Sequence, residues 1–202
     1  MQRRARNVCS SRDIRLCSLL LVLLIFPARQ GAAASQGQTE EKSWSLLGGY
    51  GYSQPGWGLT TTRVETLDLV PRYDLKLTDT LGSSWYQGFH SLLLEAPLHL
   101  VVSPDVAPMF GLNFLASYCF TASEKHRPYI LAGGGPVYST ADIEGMGAEL
   151  NGNYQFGLGW KYRRDNGQDL LFEYRFHHIS NAGTEDPNEP LNSNKFLIGT
   201  TF

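Results

Sequence analysis

The sequence has 202 residues, of which 42% are hydrophobic and 18% charged, and its formal net charge is −2 at pH 7. Six of the 17 basic and one of the 19 acidic residues lie in positions 1–34, so the rest of the chain carries 11 basic and 18 acidic residues, a formal charge of −7. This acidic balance excludes a nucleic-acid partner, which needs a basic surface. The 168 residues that follow position 34 fit one domain.

The first 34 residues have the order of a secretory signal peptide. Arginines precede the apolar run Leu16–Phe26, and small residues with an Ala-x-Ala pattern follow it at Ala32–Ala34. We therefore predict a signal peptide over 1–34 and export across the inner membrane. A membrane anchor is the alternative, but a helical span needs about 20 apolar residues. Residues 35–43 are polar and are predicted to form a flexible lead-in to a domain over 44–202.

The rest of the chain alternates between large apolar residues and small or polar ones. In residues 154–163, "YQFGLGWKYR", the even positions carry only Tyr, Phe, Leu and Trp, and the odd positions carry Gln, Gly, Lys and Arg. This period of two predicts β-strands. Eight such runs cover 44–53, 62–77, 88–102, 109–122, 127–138, 152–164, 169–180 and 192–202. Runs of this length suit tilted strands that span a membrane.

The connections between the runs indicate a barrel. Residues Ser123–His126 and Asp165–Gln168 form tight turns, whereas 139–151 and 181–191 are longer and polar, as on the two sides of an outer-membrane barrel. We predict an all-β fold, an eight-stranded antiparallel transmembrane β-barrel of the outer membrane. The alternative is a soluble barrel that carries an apolar ligand. It is disfavoured because eight strands enclose little space, which suits glycines and ion-pairing residues better than rows of aromatic residues.

The seventh run, 169–180, ends in residues that can carry chemistry. Its even positions are apolar as far as Phe176, and Glu173 and His177 belong to the opposite, lumenal set. His178 and Ser180 continue the even set, so the two adjacent histidines face opposite sides. Polar groups that face lipid are costly and indicate a functional site. His178 is placed to take the proton of the Ser180 hydroxyl, and the turn that follows can offer hydrogen-bond donors to an oxyanion.

The stretch "HISNAGTEDPN", His178–Asn188, resembles the signature of the PagL-type lipid A 3-O-deacylases, or acyloxyacyl hydrolases. That signature is His-x-Ser-Asn-Ala-Gly followed by Pro-Asn, on the penultimate strand of an eight-stranded outer-membrane barrel. The likeness extends to "RPYILAGGGPVY" and to Phe202, which is similar to the terminal aromatic residue of outer-membrane barrels. The resemblance implies a serine esterase in the outer membrane that hydrolyses the 3-O-linked acyl chain of lipid A in lipopolysaccharide, with no metal or other cofactor.

The resemblance also implies roles for particular residues. Ser180 is the nucleophile, His178 is its base, and Asn181 and Gly183 lie at the oxyanion hole. The family has an acid fourteen positions after the histidine. In this chain that position is Asn192, so the chain departs from the pattern there. An asparagine can orient the imidazole, but it cannot stabilise an imidazolium as a carboxylate does. The alternatives for the third member of the triad are the loop carboxylates Glu185, Asp186 and Glu189.

Two further interpretations stay open at this stage. A non-catalytic structural or lipopolysaccharide-binding barrel is the alternative function, and the amide at Asn192 is the observation that favours it. The remaining histidines, His90, His99 and His126, do not have metal-ligand spacing, so no metal site is predicted. A homodimer is the assembly considered, although the sequence itself does not set the oligomeric state.

Overall fold

The structure is a computed structural model that describes residues 42–57 and 60–202. The predicted signal peptide and residues 35–41 of the predicted lead-in lie outside the described residues. The first strand begins at Lys42, so residues 42 and 43, which were assigned to the lead-in, belong to the sheet. No helix in the described part of the chain is long and apolar enough to cross a membrane.

Antiparallel β-strands make up most of the described chain. The strands are β1 Lys42–Ser53, β2 Glu65–Lys76, β3 Gly88–Glu95, β4 Leu98–Ser103, β5 Ala107–Gly111, β6 Asn113–Phe120, β7 His126–Ser139, β8 Leu150–Arg163, β9 Asp169–Ser180 and β10 Leu191–Thr201. A single turn of 3-10 helix, Ser84–Tyr86, lies between β2 and β3. Because β1 pairs with both β2 and β10, the sheet closes into a barrel.

The ten strands build eight barrel strands, because two of the barrel strands are interrupted. β3 and β4 both pair with β2, and β5 and β6 both pair with β7. The first interruption contains Pro97, which has no N–H to give to a neighbouring strand. Main-chain bonds still bridge the breaks, since Gly111 N–H donates to the Pro97 carbonyl and Leu112 N–H to the Pro136 carbonyl, each at 3.1 Å. The predicted number of strands is therefore confirmed.

The alternating residues sort onto the two faces of the wall as predicted. In β8, Phe156 and Leu158 point outward with exposures of 60% and 63%, whereas Gln155, which precedes Phe156, points inward with 3%. In β9, Glu173 and His177 are buried in the lumen. An apolar outer wall around a polar interior is the arrangement of a membrane barrel and the reverse of a soluble one.

Ion pairs and apolar side chains fill the lumen. Arg175 lies 2.8 Å from Glu95 and 2.5 Å from Glu173, and Arg72 contacts the same two carboxylates at 2.8 and 2.7 Å. All four side chains are at most 1% exposed. Such a network is stable only when each buried charge has an opposite partner, as it does here. The interior is therefore a packed core. Because it has no room for a lipid-sized molecule, such a molecule can contact only the outer wall.

The loops at the two ends of the barrel differ less than predicted. The tight turns 121–125 and 164–168 share their end with the longer segment 77–87, in which Leu81 pairs with Gly88 and so prolongs the hairpin. The opposite end carries 54–64, 140–149 and 181–190, but also the short connection 104–106. This second end is called the Ser180 end below, because β9 finishes there.

Candidate active site

His178 and Ser180 lie on the outer face of β9, one pleat apart. Ser180 is the last residue of the strand, and both side chains are partly exposed. His177 is only 1% exposed and points into the lumen, where its ring centroid lies 5.6 Å from that of His99. The two adjacent histidines therefore occupy opposite sides of the wall, and only His178 is available to a lipid.

His178 connects Ser180 to Asn192. Its Nδ1 lies 2.7 Å from Asn192 Oδ1, and its Nε2 lies 3.3 Å from Ser180 Oγ. The antiparallel register of β9 and β10 pairs His178 directly with Asn192, which is how a residue fourteen positions later reaches the ring. The structure thus brings together the three side chains predicted for the triad, while their chemical roles stay a prediction.

The carbonyl group of Trp57 sets the orientation of the Asn192 amide. Asn192 Nδ2 donates a hydrogen bond to this carbonyl, which only an N–H group can do. Oδ1 consequently faces His178 and accepts a hydrogen bond from the N–H group at Nδ1. Nε2 is then left with a lone pair directed at the Ser180 hydroxyl. This is the tautomer that a general base for serine requires. Sequence reasoning missed Trp57, because a main-chain acceptor leaves no signal in residue identity.

An aromatic ring supports the imidazole from the neighbouring strand. Tyr154 in β8 stacks on His178 with ring centroids 4.8 Å apart and planes only 3° from parallel. The β8–β9 register pairs the two residues, so both project from the outer face at the same height. Tyr154 was predicted to face lipid, but its contact with His178 depends on a register that the sequence does not reveal.

The outer wall beside Ser180 is open on the side of β8. The register places Gly152 opposite Ser180, and glycine has no side chain to cover the hydroxyl. A Cβ added at Gly152 would lie 3.7 Å from the Ser180 carbonyl oxygen, an ordinary contact, so close packing does not explain the glycine. The arrangement leaves room for a substrate carbonyl next to Ser180 Oγ.

The loop after Ser180 is held by its own hydrogen bonds. Asn181 N–H donates to Asn188 Oδ1 at 2.9 Å, Asn181 Nδ2 to the Glu185 carbonyl at 2.7 Å, and Gly183 N–H to Asn181 Oδ1 at 2.8 Å. The donors predicted for the oxyanion hole are therefore engaged within the loop. Ala182, which has a left-handed φ of 55°, has an N–H with no acceptor among the described residues.

The loop carboxylates do not contact His178 in the described part of the chain. In residues 42–57 and 60–202, His178 Nδ1 contacts Asn192, and no hydrogen bond joins it to Glu185, Asp186 or Glu189. Glu173 is in the lumen, as its parity predicts. The same described ranges contain no group of three or more His, Cys, Asp or Glu side chains arranged to hold a metal ion.

The closed barrel, its apolar outer wall and its packed interior define a transmembrane β-barrel of the outer-membrane class, with a Ser-His-Asn contact chain on the lipid side. The family model described as "Lipid A 3-O-deacylase (PagL)" matches residues 49–201, and the chain belongs to this family.

Solved structures show the same fold. The crystal structure of the outer membrane enzyme PagL is similar at 19% identity with a TM-score of 0.54, over 78% of this chain and 97% of that one. Neisserial surface protein A, NspA, is similar at 12% identity with a TM-score of 0.61, over 80% of this chain and 96% of that one. A comparison with curated protein sequences found no match. These likenesses confirm the predicted fold and give no support to the homodimer.

Proposed function

We propose that this chain is a serine esterase of the outer membrane that removes the 3-O-linked acyl chain of lipid A. Membership of the lipid A 3-O-deacylase family supports the substrate class. The observation that carries the chemistry is the contact chain from Ser180 through His178 to Asn192. Because these side chains are on the outer wall, a lipid ester can reach Ser180 without leaving the bilayer.

The first half of the reaction transfers the acyl chain to the protein. Ser180 Oγ attacks the carbonyl carbon of the ester, and its proton passes to His178 Nε2. The tetrahedral intermediate then collapses, the bond to the sugar oxygen breaks, and Nε2 returns the proton to that oxygen. The acyl chain is left esterified to Ser180, and the sugar carries a free 3-hydroxyl group.

The second half releases the acyl chain. Water attacks the acyl-serine carbonyl while His178 Nε2 takes a proton from it. Collapse of this intermediate breaks the bond to Ser180 Oγ, which recovers its proton from His178, and a hydroxy fatty acid leaves. The protein ends as it began, and one water molecule is consumed for each ester cleaved.

Asn192 acts on His178 rather than on the substrate. Its Oδ1 accepts a hydrogen bond from Nδ1–H and keeps the ring aligned with Ser180. A neutral amide stabilises the transient imidazolium less than a carboxylate would, so the contribution of Asn192 is to orient the ring rather than to balance its charge. We assign Asn181 and Gly183 to the oxyanion hole, which requires their loop hydrogen bonds to rearrange when substrate binds. The unengaged N–H of Ala182 is a further donor in the same turn.

The test is mass spectrometry of lipid A from cells that express the wild type, Ser180→Ala or His178→Asn. Of these three strains, we expect only the wild type to produce lipid A without its 3-O-linked chain. His90→Asn is the matched control, because His90 is also exposed on the outer wall but lies at the end of β3 away from Ser180. Identical lipid A in all strains would contradict the proposal. It would favour the non-catalytic lipopolysaccharide-binding barrel, to which the amide at Asn192 points.

A further inference from the structure

We propose that the turn Gln54–Trp57 positions the Asn192 amide, and that this turn makes an amide, rather than an acid, the fitting third member of the triad in this chain. The inference rests on the proposed function. It assigns a role to a segment that has no acidic, basic or nucleophilic side chain.

The sequence "QPGW" builds a rigid turn directly after β1. Proline presets the backbone at the second position, and Gly56 at the third has a φ of 90°, which suits a type II turn. Trp57 N–H closes the turn by donating to the Gln54 carbonyl at 3.0 Å. Because β1 ends at Ser53, the closed turn fixes where the Trp57 carbonyl lies relative to the barrel wall.

The turn holds Asn192 at two points. Gln54 N–H donates to the Asn192 main-chain carbonyl at 2.9 Å, and the Asn192 side-chain Nδ2 donates to the Trp57 carbonyl. The first bond fixes the backbone of Asn192 and the second fixes the rotation of its amide. Together they direct Oδ1 at His178.

The indole of Trp57 ties the same turn to the strand that carries the base. Its ring centroid lies 5.9 Å from that of Phe176, which is two residues before His178 on the outer face of β9. Trp57 is 52% exposed, so burial in the core does not account for its position. The turn therefore bridges β9 and β10 at the height of the Ser180 end.

The chemistry of the contact selects an amide. A carboxylate at position 192 has no N–H for the Trp57 carbonyl, and one of its oxygens would face that carbonyl at hydrogen-bond distance. Two acceptors in this position repel each other and cost the desolvation of both. The amide of Asn192 thus fits the Gln54–Trp57 turn, and its presence is more than the loss of the acid that the family has at this position.

The decisive variant is Gly56→Ala, with Gly167→Ala as its matched control. Both glycines have a left-handed φ, 90° and 83°, and a Cβ at either one meets no described atom within 4 Å. The two substitutions therefore impose the same kind of backbone strain, but Gly167 is in the turn at the opposite end of the barrel. We expect Gly56→Ala to lower kcat for lipid A about five- to tenfold with little change in KM, and Gly167→Ala to leave both unchanged.

A double-variant cycle separates positioning from general strain. In an Asn192→Ala background the amide is absent, so Gly56→Ala should change kcat less than about twofold. Equal loss of kcat in Gly56→Ala and Gly167→Ala would overturn the inference. A Gly56→Ala effect of the same size with and without the Asn192 amide would overturn it as well.

The two proposals fail in different ways. If Ser180→Ala processes lipid A as the wild type does, the proposed esterase is wrong and the inference falls with it. If Ser180→Ala is inactive and Gly56→Ala has wild-type kcat, the esterase stands and only the positioning role of the turn is wrong. All proteins are compared as folded barrels, judged by their heat-dependent electrophoretic mobility.

Discussion

His178 is held on three sides by residues of three different strands. Asn192 in β10 accepts from Nδ1, Ser180 in β9 lies against Nε2, and Tyr154 in β8 covers one face of the ring. The carbonyl of Trp57 in turn orients Asn192. A base that is fixed in plane, tautomer and rotation does not have to be organised during the reaction, which is where such sites gain rate.

The stack on Tyr154 can be tested separately from the hydrogen bonds. An aromatic pair contributes about 0.5–1.5 kcal/mol beyond its buried area, so Tyr154→Ala should lower kcat/KM for lipid A about three- to tenfold. Tyr154→Phe keeps the ring and should retain activity, because no hydrogen bond of the Tyr154 hydroxyl is found among the described residues. Steady-state kinetics of the two variants check this prediction. Equal losses in both variants, or none in Tyr154→Ala, would contradict it.

Sequence parity predicted much of the site, because a strand offers only two directions for a side chain. It separated His177 from His178 and placed Asn192 on the same face as Ser180, and the structure agrees on each. The contacts of Tyr154 and Trp57 were not predictable in the same way. The first depends on the pairing register of β8 with β9, and the second on a main-chain carbonyl that any residue would supply.

At the level of elements, the eight predicted runs correspond to the eight barrel strands. The breaks between β3 and β4 and between β5 and β6 were not predicted. The alternation does not mark the break at Pro97, since Glu95, Pro97 and His99 keep one inward parity across it. The proline itself was the available signal, since it cannot donate to a neighbouring strand. The runs 62–77 and 88–102 leave a segment of about the observed length between them, but its pairing of Leu81 with Gly88 was not predicted, because it continues the hairpin without alternation.

The lumenal ion pairs link strands that are far apart in sequence, and they predict a large effect on stability. Glu95 in β3 contacts Arg72 in β2 and Arg175 in β9. Glu95→Ala leaves both guanidinium groups short of a partner in a buried site and should destabilise the barrel by about 3–5 kcal/mol. Urea unfolding of the protein in detergent or lipid measures this loss.

An exposed ion pair is the control for that experiment. Asp165 contacts Lys125 at 3.2 Å in the turns away from the Ser180 end, and its side chain is 94% exposed. Water already solvates both charges, so Asp165→Ala should leave the urea midpoint unchanged. Similar shifts for Glu95→Ala and Asp165→Ala would contradict a stabilising role of the lumenal network.

For the molecule as a whole, the packed lumen and the apolar wall have different roles. The interior supplies a rigid frame, and the wall presents Ser180 toward the lipid at the end where the loops 54–64 and 181–190 begin or end. Thr60 joins these two loops, since its hydroxyl donates to the Pro190 carbonyl at 2.9 Å. The turn that orients Asn192 therefore comes from the first half of the chain, and the pairing of β1 with β10 brings it to the site.

The orientation of the outer wall toward lipid gives the last prediction. Leu150 and Leu158 lie on the outer face of β8 with exposures of 64% and 63%, the first at the strand end and the second near its middle. In a bilayer, arginine at mid-depth costs about 2–4 kcal/mol and near the interface only about 0–1 kcal/mol. Leu158→Arg should therefore destabilise the barrel folded in phospholipid vesicles far more than Leu150→Arg, as measured by denaturant unfolding. In a barrel surrounded by water the two substitutions would have equal effects, so equal unfolding midpoints in vesicles would refute the membrane-spanning arrangement.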